Sequence, residues 1–183
     1  MILPVKMHKN NRDLRMITYL KELVAGYENT DNEIVKRVIY NDMLRFEKEA
    51  DPHVVCYDMD LYVMLYKYAT TSFQRKYALD HISGIIDDDY LGEDGILFNF
   101  EDFIPMKDFL HKDDVERFDC LCKAVLDYFL DLVEEALRPK QHHVVPLDSI
   151  EVLKGHLRKV AEAVKSTGMK ELESYKLACN ILA

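Results

Sequence analysis

The sequence predicts an all-α protein, built as a single-domain bundle of about seven helices. Glycine and proline are scarce, at six and five of 183 residues, which leaves little material for the many tight turns of an all-β fold. Apolar residues recur instead at helical spacing along most of the chain. We expect at most a minor two-stranded element, from the stretches ILFNF (96–100) and HHVV (142–145).

The predicted helices follow one another closely, except at one acidic segment before the longest of them. Periodicity and boundary signals place them at residues 11–26, 31–50, 53–69, 72–86, 113–138, 148–168 and 169–182.

Capping signals set the boundaries in the first half of the chain. Gly26 ends the first helix, and Thr30 with Glu33 has the capping-box spacing for the second. The Asp-Pro pair at 51–52 begins the third helix, and the TTS stretch at 70–72 supplies the cap of the fourth.

Similar signals organise the second half. Asp113 with Glu116 opens the longest helix, and Pro139 stops it. Asp148 with Glu151 caps the next helix. We therefore expect a helical bundle at 1–141 and a C-terminal helical hairpin at 142–183, packed on the same domain.

The charge of the chain is concentrated in one segment. Residues 87–119 hold twelve of the 33 acids and three of the 24 basic residues, which accounts for the whole net charge of −9. The first part of this segment, 87–112, is predicted to be a long acidic connector. Its apolar residues are expected to tether it to the bundle: Ile96, Phe98, Phe100 and Phe103.

The acidic connector does not satisfy the pattern of a calcium loop. With Gly95 at the sixth position of an EF-hand loop, the first and third positions fall on Tyr90 and Gly92, which offer no carboxylate. The four cysteines have neither zinc-site nor disulfide-scaffold spacing. We expect no metal and no cofactor.

Several polar residues interrupt the apolar stripes of the helices. Asp42, Arg45, Asp58 and Arg75 fall on inward faces, and since unpaired buried charges are costly, we expect them to pair as a buried polar network. Whether that network would be structural or a ligand pocket stays open at this point. His156 is expected to be a satisfied core histidine.

One short motif suggests an enzyme. The stretch RKYALDH, Arg75 to His81, resembles the arginine–histidine motif of the HEPN (higher eukaryote and prokaryote nucleotide-binding) ribonucleases, which are small helical RNA-cleaving proteins. The resemblance covers seven residues and implies an acid/base role for His81 and phosphate contact for Arg75. It supports an alternative function as a small ribonuclease or nucleotide-processing enzyme.

A second enzymatic alternative comes from one face of the longest helix. The spacing of its acids resembles that of magnesium-dependent helical pyrophosphatases, although a solvated helix face gives the same pattern. These acids are Glu116, Asp127, Asp131 and Glu134.

The favoured prediction is a non-enzymatic protein-binding or regulatory protein, of the inhibitor, immunity or modulator type. Its acidic surface, centred on 87–119, would steer a protein partner that is basic, and it opposes binding to duplex nucleic acid. Free thiols and the lack of a membrane-length apolar run favour a cytoplasmic setting without membrane binding. A homo-oligomer or a structural subunit of a larger assembly also fits this composition. The expected partner-binding residues are Asp87, Asp88, Asp89, Glu93 and Asp94.

Overall fold

The computed structural model describes residues 11–49, 59–87, 92–138 and 146–183. These ranges contain α-helices and two short 3-10 helices but no strand, which confirms the all-α prediction. Within them, each helix is too short or too polar to cross a lipid bilayer. The helices are α1 (Asn11–Glu28), α2 (Glu33–Glu49), α3 (Met59–Lys67), α4 (Ser72–Ile86), α5 (Gly92–Phe103), α6 (Val115–Leu137), α7 (Leu147–Ser166) and α8 (Glu173–Leu182).

The chain divides into two compact units, residues 1–78 and 79–183, and the division falls within α4. The boundary suggested by the sequence, between residues 141 and 142, lies in a segment outside the described residues and stays a prediction.

In the first unit, α1 packs against α2, and α2 packs against α3. The Tyr40 hydroxyl donates a hydrogen bond of 3.2 Å to the carbonyl oxygen of Leu65, which ties α2 to α3. The large side chains that are buried most completely here are those of Tyr40, Met43, Met59, Leu61, Tyr62, Leu65 and Tyr66.

The second unit is built on α6. Helices α7 and α8 both pack against α6 and against each other, and α5 contacts α6 and α7. A row of aromatic rings joins α5 to α6, with 5.0 Å between the ring centroids of Phe103 and Phe118. Because these rings are fully buried, they hold the acidic start of α5 in a defined place relative to α6 and α7.

Helix α5 lies inside the segment predicted as a connector. The stretch 96–100 is part of this helix and forms no strand, while 142–145 lies outside the described residues. The buried apolar residues of α5 recur at positions i, i+1, i+4 and i+7, which form one stripe along a helix. They are Ile96, Leu97, Phe100 and Phe103. Phe98, predicted as a tether, is instead 61% exposed.

The helix start signals were partly right. In α4, Thr71 Oγ1 accepts from the backbone N–H of Gln74 at 3.2 Å, as the predicted cap requires. In α2, Asn32 Oδ1 accepts from the N–H of Ile34 at 3.0 Å, so Asn32 caps the helix and Thr30 does not. Helices α6 and α7 begin without a side-chain cap at the residue that precedes them, which corrects the prediction for Asp113 and Asp148.

Candidate functional site

Of the predicted partner-binding acids that the structure describes, Glu93 and Asp94 lie in the first turn of α5, and Asp87 directly follows α4. Asp87, Glu93 and Asp94 are exposed to solvent, whereas Asp88 and Asp89 lie outside the described residues. Gly92 begins the helix with a φ of +64°, a left-handed conformation that glycine adopts without strain. This turn places Glu93 and Asp94 in the first turn of α5.

Two acids in the first turn of a helix also have a structural role. Carboxylates there interact favourably with the positive end of the helix dipole, typically by 0.3 to roughly 1 kcal/mol each. That role does not require exposure, yet the Asp94 side chain is 86% exposed. The pair can therefore stabilise α5 and still meet a partner.

Other acids of the segment 87–119 are engaged within the protein. Asp108 pairs with Lys107 at 3.0 Å. Asp119 accepts backbone hydrogen bonds from Glu173 at 3.1 Å and from Ser174 at 2.9 Å. The acidic segment thus contains structural carboxylates as well as the exposed ones at the start of α5.

His156, on α7, lies next to the start of α5. Its Nε2 is 3.6 Å from Asp94 Oδ1, and its ring meets Phe129 edge-on, with the centroids 5.8 Å apart. Its Nδ1 is buried and has no hydrogen-bond partner among the described residues. The prediction of a satisfied core histidine is therefore wrong: the ring is packed, but one nitrogen is not satisfied.

An open groove of about 440 Å³ lies close to His156 and is formed by α5, α6 and α7. We call it the α5–α7 groove. Its apolar lining comes from α6 and α7, and its polar lining from all three helices. The described residues that line it are Glu93, Leu132, Glu135, Ala136, Ser149, Val152 and Leu153.

The groove and the acidic start of α5 form one continuous surface. Glu93 lines the groove and is followed by Asp94, and Val152 lies one helical turn from His156 on α7. Of the described lining residues, the charged ones are both acids, Glu93 and Glu135. This surface offers apolar contact and negative charge, the combination suited to a partner with apolar and basic side chains.

An ion pair of the predicted buried polar network is present in the structure, but it is partly exposed to solvent. Asp42 and Arg45 do pair, at 3.3 Å, but their side chains are 32% and 64% exposed. An exposed i,i+3 pair of this kind contributes little to stability. Arg75 is half-buried on α4, and Asp58 lies outside the described residues, so a network of all four stays a prediction.

The residues of the ribonuclease alternative both lie on α4. Arg75 and His81 are half-buried, and a spacing of six residues separates their directions by about 120° around the helix axis. The structure provides no test of RNA cleavage, and this alternative stays a prediction.

The acids of the α6 face point to solvent: Glu116, Asp127, Asp131 and Glu134 are all exposed. In the described parts of the chain, no group of three or more histidine, cysteine, aspartate or glutamate side chains is placed to hold a metal ion. The arrangement is that of a solvated helix face. On the same helix the Cys122 thiol is buried and the Cys120 thiol is exposed.

Sequence reasoning missed a polar cluster in the first unit. The Glu28 carboxylate accepts hydrogen bonds from the Tyr68 hydroxyl and, at 2.9 Å, from Lys67 Nζ. The Tyr27 and Tyr68 rings lie 4.5 Å apart. Glu28 and Tyr68 are separated by 40 residues, and no local pattern relates residues that far apart in sequence.

Burial and hydrogen bonding shift the pKa values of the side chains in this cluster. Burial, followed by the hydrogen bond to Glu28, raises the pKa of Tyr68 to about 12. The hydrogen bond from Tyr68 is the main cause that lowers the pKa of Glu28, and the hydrogen bond to Glu28 raises the pKa of Lys67. These shifts follow from a structural contact between α1 and the end of α3, and the cluster does not line the groove.

No protein-family model matches this chain, and neither the curated proteins nor the solved structures contain a significant match to it.

Proposed function

We propose that this chain is a non-enzymatic, cytoplasmic protein-binding protein of the inhibitor or modulator type, and that it binds a basic protein partner. The observation that carries the proposal is the exposure of Glu93 and Asp94 at the start of α5 and of Asp87 just after α4, together with an open groove at Glu93 whose charged lining residues, among those described, are acids. The chain's whole net charge resides in the segment that contains them.

Such a surface acts mainly through long-range attraction. Clustered charge of one sign raises the association rate of an oppositely charged partner and disfavours like-charged competitors. The attraction between exposed charges weakens as salt shortens the Debye length, from about 8 Å at 0.15 M to about 3 Å at 1 M. Binding should therefore depend strongly on salt.

The test is capture of partner proteins from an extract of the native cell on the immobilised full chain. We expect basic proteins to be retained at about 0.15 M salt and released near 1 M. A variant with its acids neutralised should retain roughly tenfold less. It carries D87N, D88N, D89N, E93Q and D94N.

A matched control removes the same number of acids elsewhere on the chain. It carries E22Q, D31N, D60N, E162Q and E171Q, all at exposed positions. Equal retention by the two variants would show that total charge, and not the start of α5, determines capture. The proposal is wrong if retention does not change with salt, or if the first variant retains basic proteins as well as the wild type does.

A further inference from the structure

We propose that the α5–α7 groove is the docking site for a basic, amphipathic helix of a protein partner, with apolar side chains seated between α6 and α7 and lysine or arginine side chains facing Glu93 and Asp94. This inference rests on the proposed function and specifies the partner's chemistry.

Apolar exposure at the groove is the first support. Val152 is 54% exposed although it lies beside the buried Leu153 on α7. Leu137 ends α6 and Leu147 begins α7, and their side chains are 57% and 79% exposed. Exposed apolar side chains that cluster at a concave surface typically mark an interaction site.

Charge complementarity is the second support. The groove places Glu93 next to apolar lining, and Asp94 extends the negative surface. Two basic residues of α6 and α7 have acidic neighbours on their own helices. Lys154 is 2.9 Å from Glu151, and Arg138 is 3.9 Å from Glu134.

These charges distinguish the basic helix from other occupants. A second copy bound symmetrically would bring the same acidic patch against itself, and an anionic membrane surface would repel it. A groove between two packed helices accepts the side-chain ridge of a third helix, with anchors at positions i, i+3, i+4 and i+7.

The inference is tested with a defined probe. A fluorescein-labelled peptide of leucine and lysine, with leucine at helical spacing, is titrated with the full chain while fluorescence anisotropy is recorded. Two further peptides serve as specificity controls: one has the same composition in scrambled order, and one has glutamate in place of lysine. We expect salt-sensitive binding of the first peptide and at least tenfold weaker binding of the other two.

Two valines of equal exposure provide the matched variants. Val152 lies in the groove and is 54% exposed, whereas Val38 lies on α2 and is 55% exposed. V152K should weaken peptide binding at least tenfold, and V38K should leave it unchanged. Since a single substitution can disturb folding, S149K, at an exposed position of the groove lining, provides a second variant with the same expected loss.

The outcomes separate the two proposals. If V152K and S149K bind the peptide as well as V38K does, the groove is not the docking site and the inference is overturned. It is also overturned if the scrambled peptide binds equally well, or if the wild type is a dimer that V152K dissociates. If the acid-neutralised variant loses basic partners while the groove variants keep the peptide, the proposed function stands without this site. If no variant differs from the wild type in either assay, both fail.

Discussion

The side chain of His156 combines good packing with an unsatisfied polar atom. Its ring contacts Phe129 edge-on, an arrangement worth about 0.5–1.5 kcal/mol beyond burial. Its Nδ1 has no hydrogen-bond partner in the described structure, and leaving a buried polar group unpaired costs about 1–3 kcal/mol. The two effects oppose each other at one residue.

Substitution at His156 separates these effects. H156F keeps an aromatic ring and removes the unpaired nitrogen, so its free energy of unfolding should equal or exceed that of the wild type. H156A loses the ring and should be less stable by about 1–3 kcal/mol. Both values come from denaturant unfolding followed by circular dichroism. A destabilised H156F protein would show that the imidazole nitrogens contribute to stability, through Nδ1 or through the contact of Nε2 with Asp94, and would contradict this interpretation.

Tyr40 and Tyr68 give the protein a specific response to alkaline pH. Burial is the main cause that raises the pKa of each phenol from 10 to about 12. Because the folded pKa lies above the unfolded one, the stabilisation is fully present below pH 10 and is lost as the pH rises toward 12. The free energy of unfolding should therefore fall over this window.

The phenol titration is followed by absorbance at the tyrosinate band, and stability by denaturant unfolding at each pH. We expect part of the rise in tyrosinate absorbance to occur near pH 12, and we expect this part to be smaller in Y40F and in Y68F. The Y68F protein should also lose part of the alkaline fall in stability. A Y68F protein whose titration matches that of the wild type would contradict the assignment.

At the scale of elements, Asp119 joins two helices that are far apart in sequence. It lies on α6, and its two carboxylate oxygens accept the backbone N–H groups of Glu173 and Ser174 at the start of α8. These N–H groups have no partner within α8, so Asp119 serves as the cap that the local sequence lacks. The carboxylate also interacts favourably with the helix dipole.

Removing this cap should loosen α8. D119A should lower the free energy of unfolding by about 0.5–2 kcal/mol and accelerate hydrogen exchange of the backbone amides in α8. D127A removes an exposed acid of α6, the helix that also carries Asp119. Its free energy of unfolding should stay within about 0.5 kcal/mol of the wild-type value. Equal stability of the two variants would show that the bonds from Asp119 do not hold α8.

Most helices could be predicted from the sequence because the apolar residues of each helix recur at helical spacing within a short stretch of chain. The fourth predicted helix, 72–86, coincides with α4, and Thr71 caps it as expected. Helix α5 was missed because its acids and two glycines dominate the segment, although its apolar residues have helical spacing. The capping of α8 was not predictable, since Asp119 and Ser174 are 55 residues apart.

At the scale of the whole molecule, the sequence predicted the acids of the candidate site but not the groove beside them. The concentration of charge identified the acids that include Glu93 and Asp94, and these are exposed. The groove beside them draws its lining from α5, α6 and α7, and single-sequence periodicity does not reveal how three helices pack. Charge is a property of composition, whereas concavity is a property of tertiary structure.

The C-terminal helices are part of the second unit's core. Helices α7 and α8 both cover α6, and α7 buries its own apolar face. The buried residues of α7 are Ile150, Leu153, Leu157, Val160, Ala161 and Val164. A subunit that docked into an assembly through this face would first have to separate α7 from the unit.

A chain that ends at residue 141 tests this dependence. Without 142–183, buried side chains of α6 such as Phe129, whose ring meets His156 on α7, lose their cover, and burying such a side chain is worth about 1.5–3 kcal/mol. Since domains are stable by only about 5–15 kcal/mol, residues 79–141 should not fold cooperatively alone. The truncated chain should bind a hydrophobic dye and lose the near-ultraviolet circular dichroism of the second unit's aromatic side chains, whereas the full chain should do neither. A truncated chain that also does neither would instead support the hairpin as a separable docking element, and would favour the structural-subunit hypothesis.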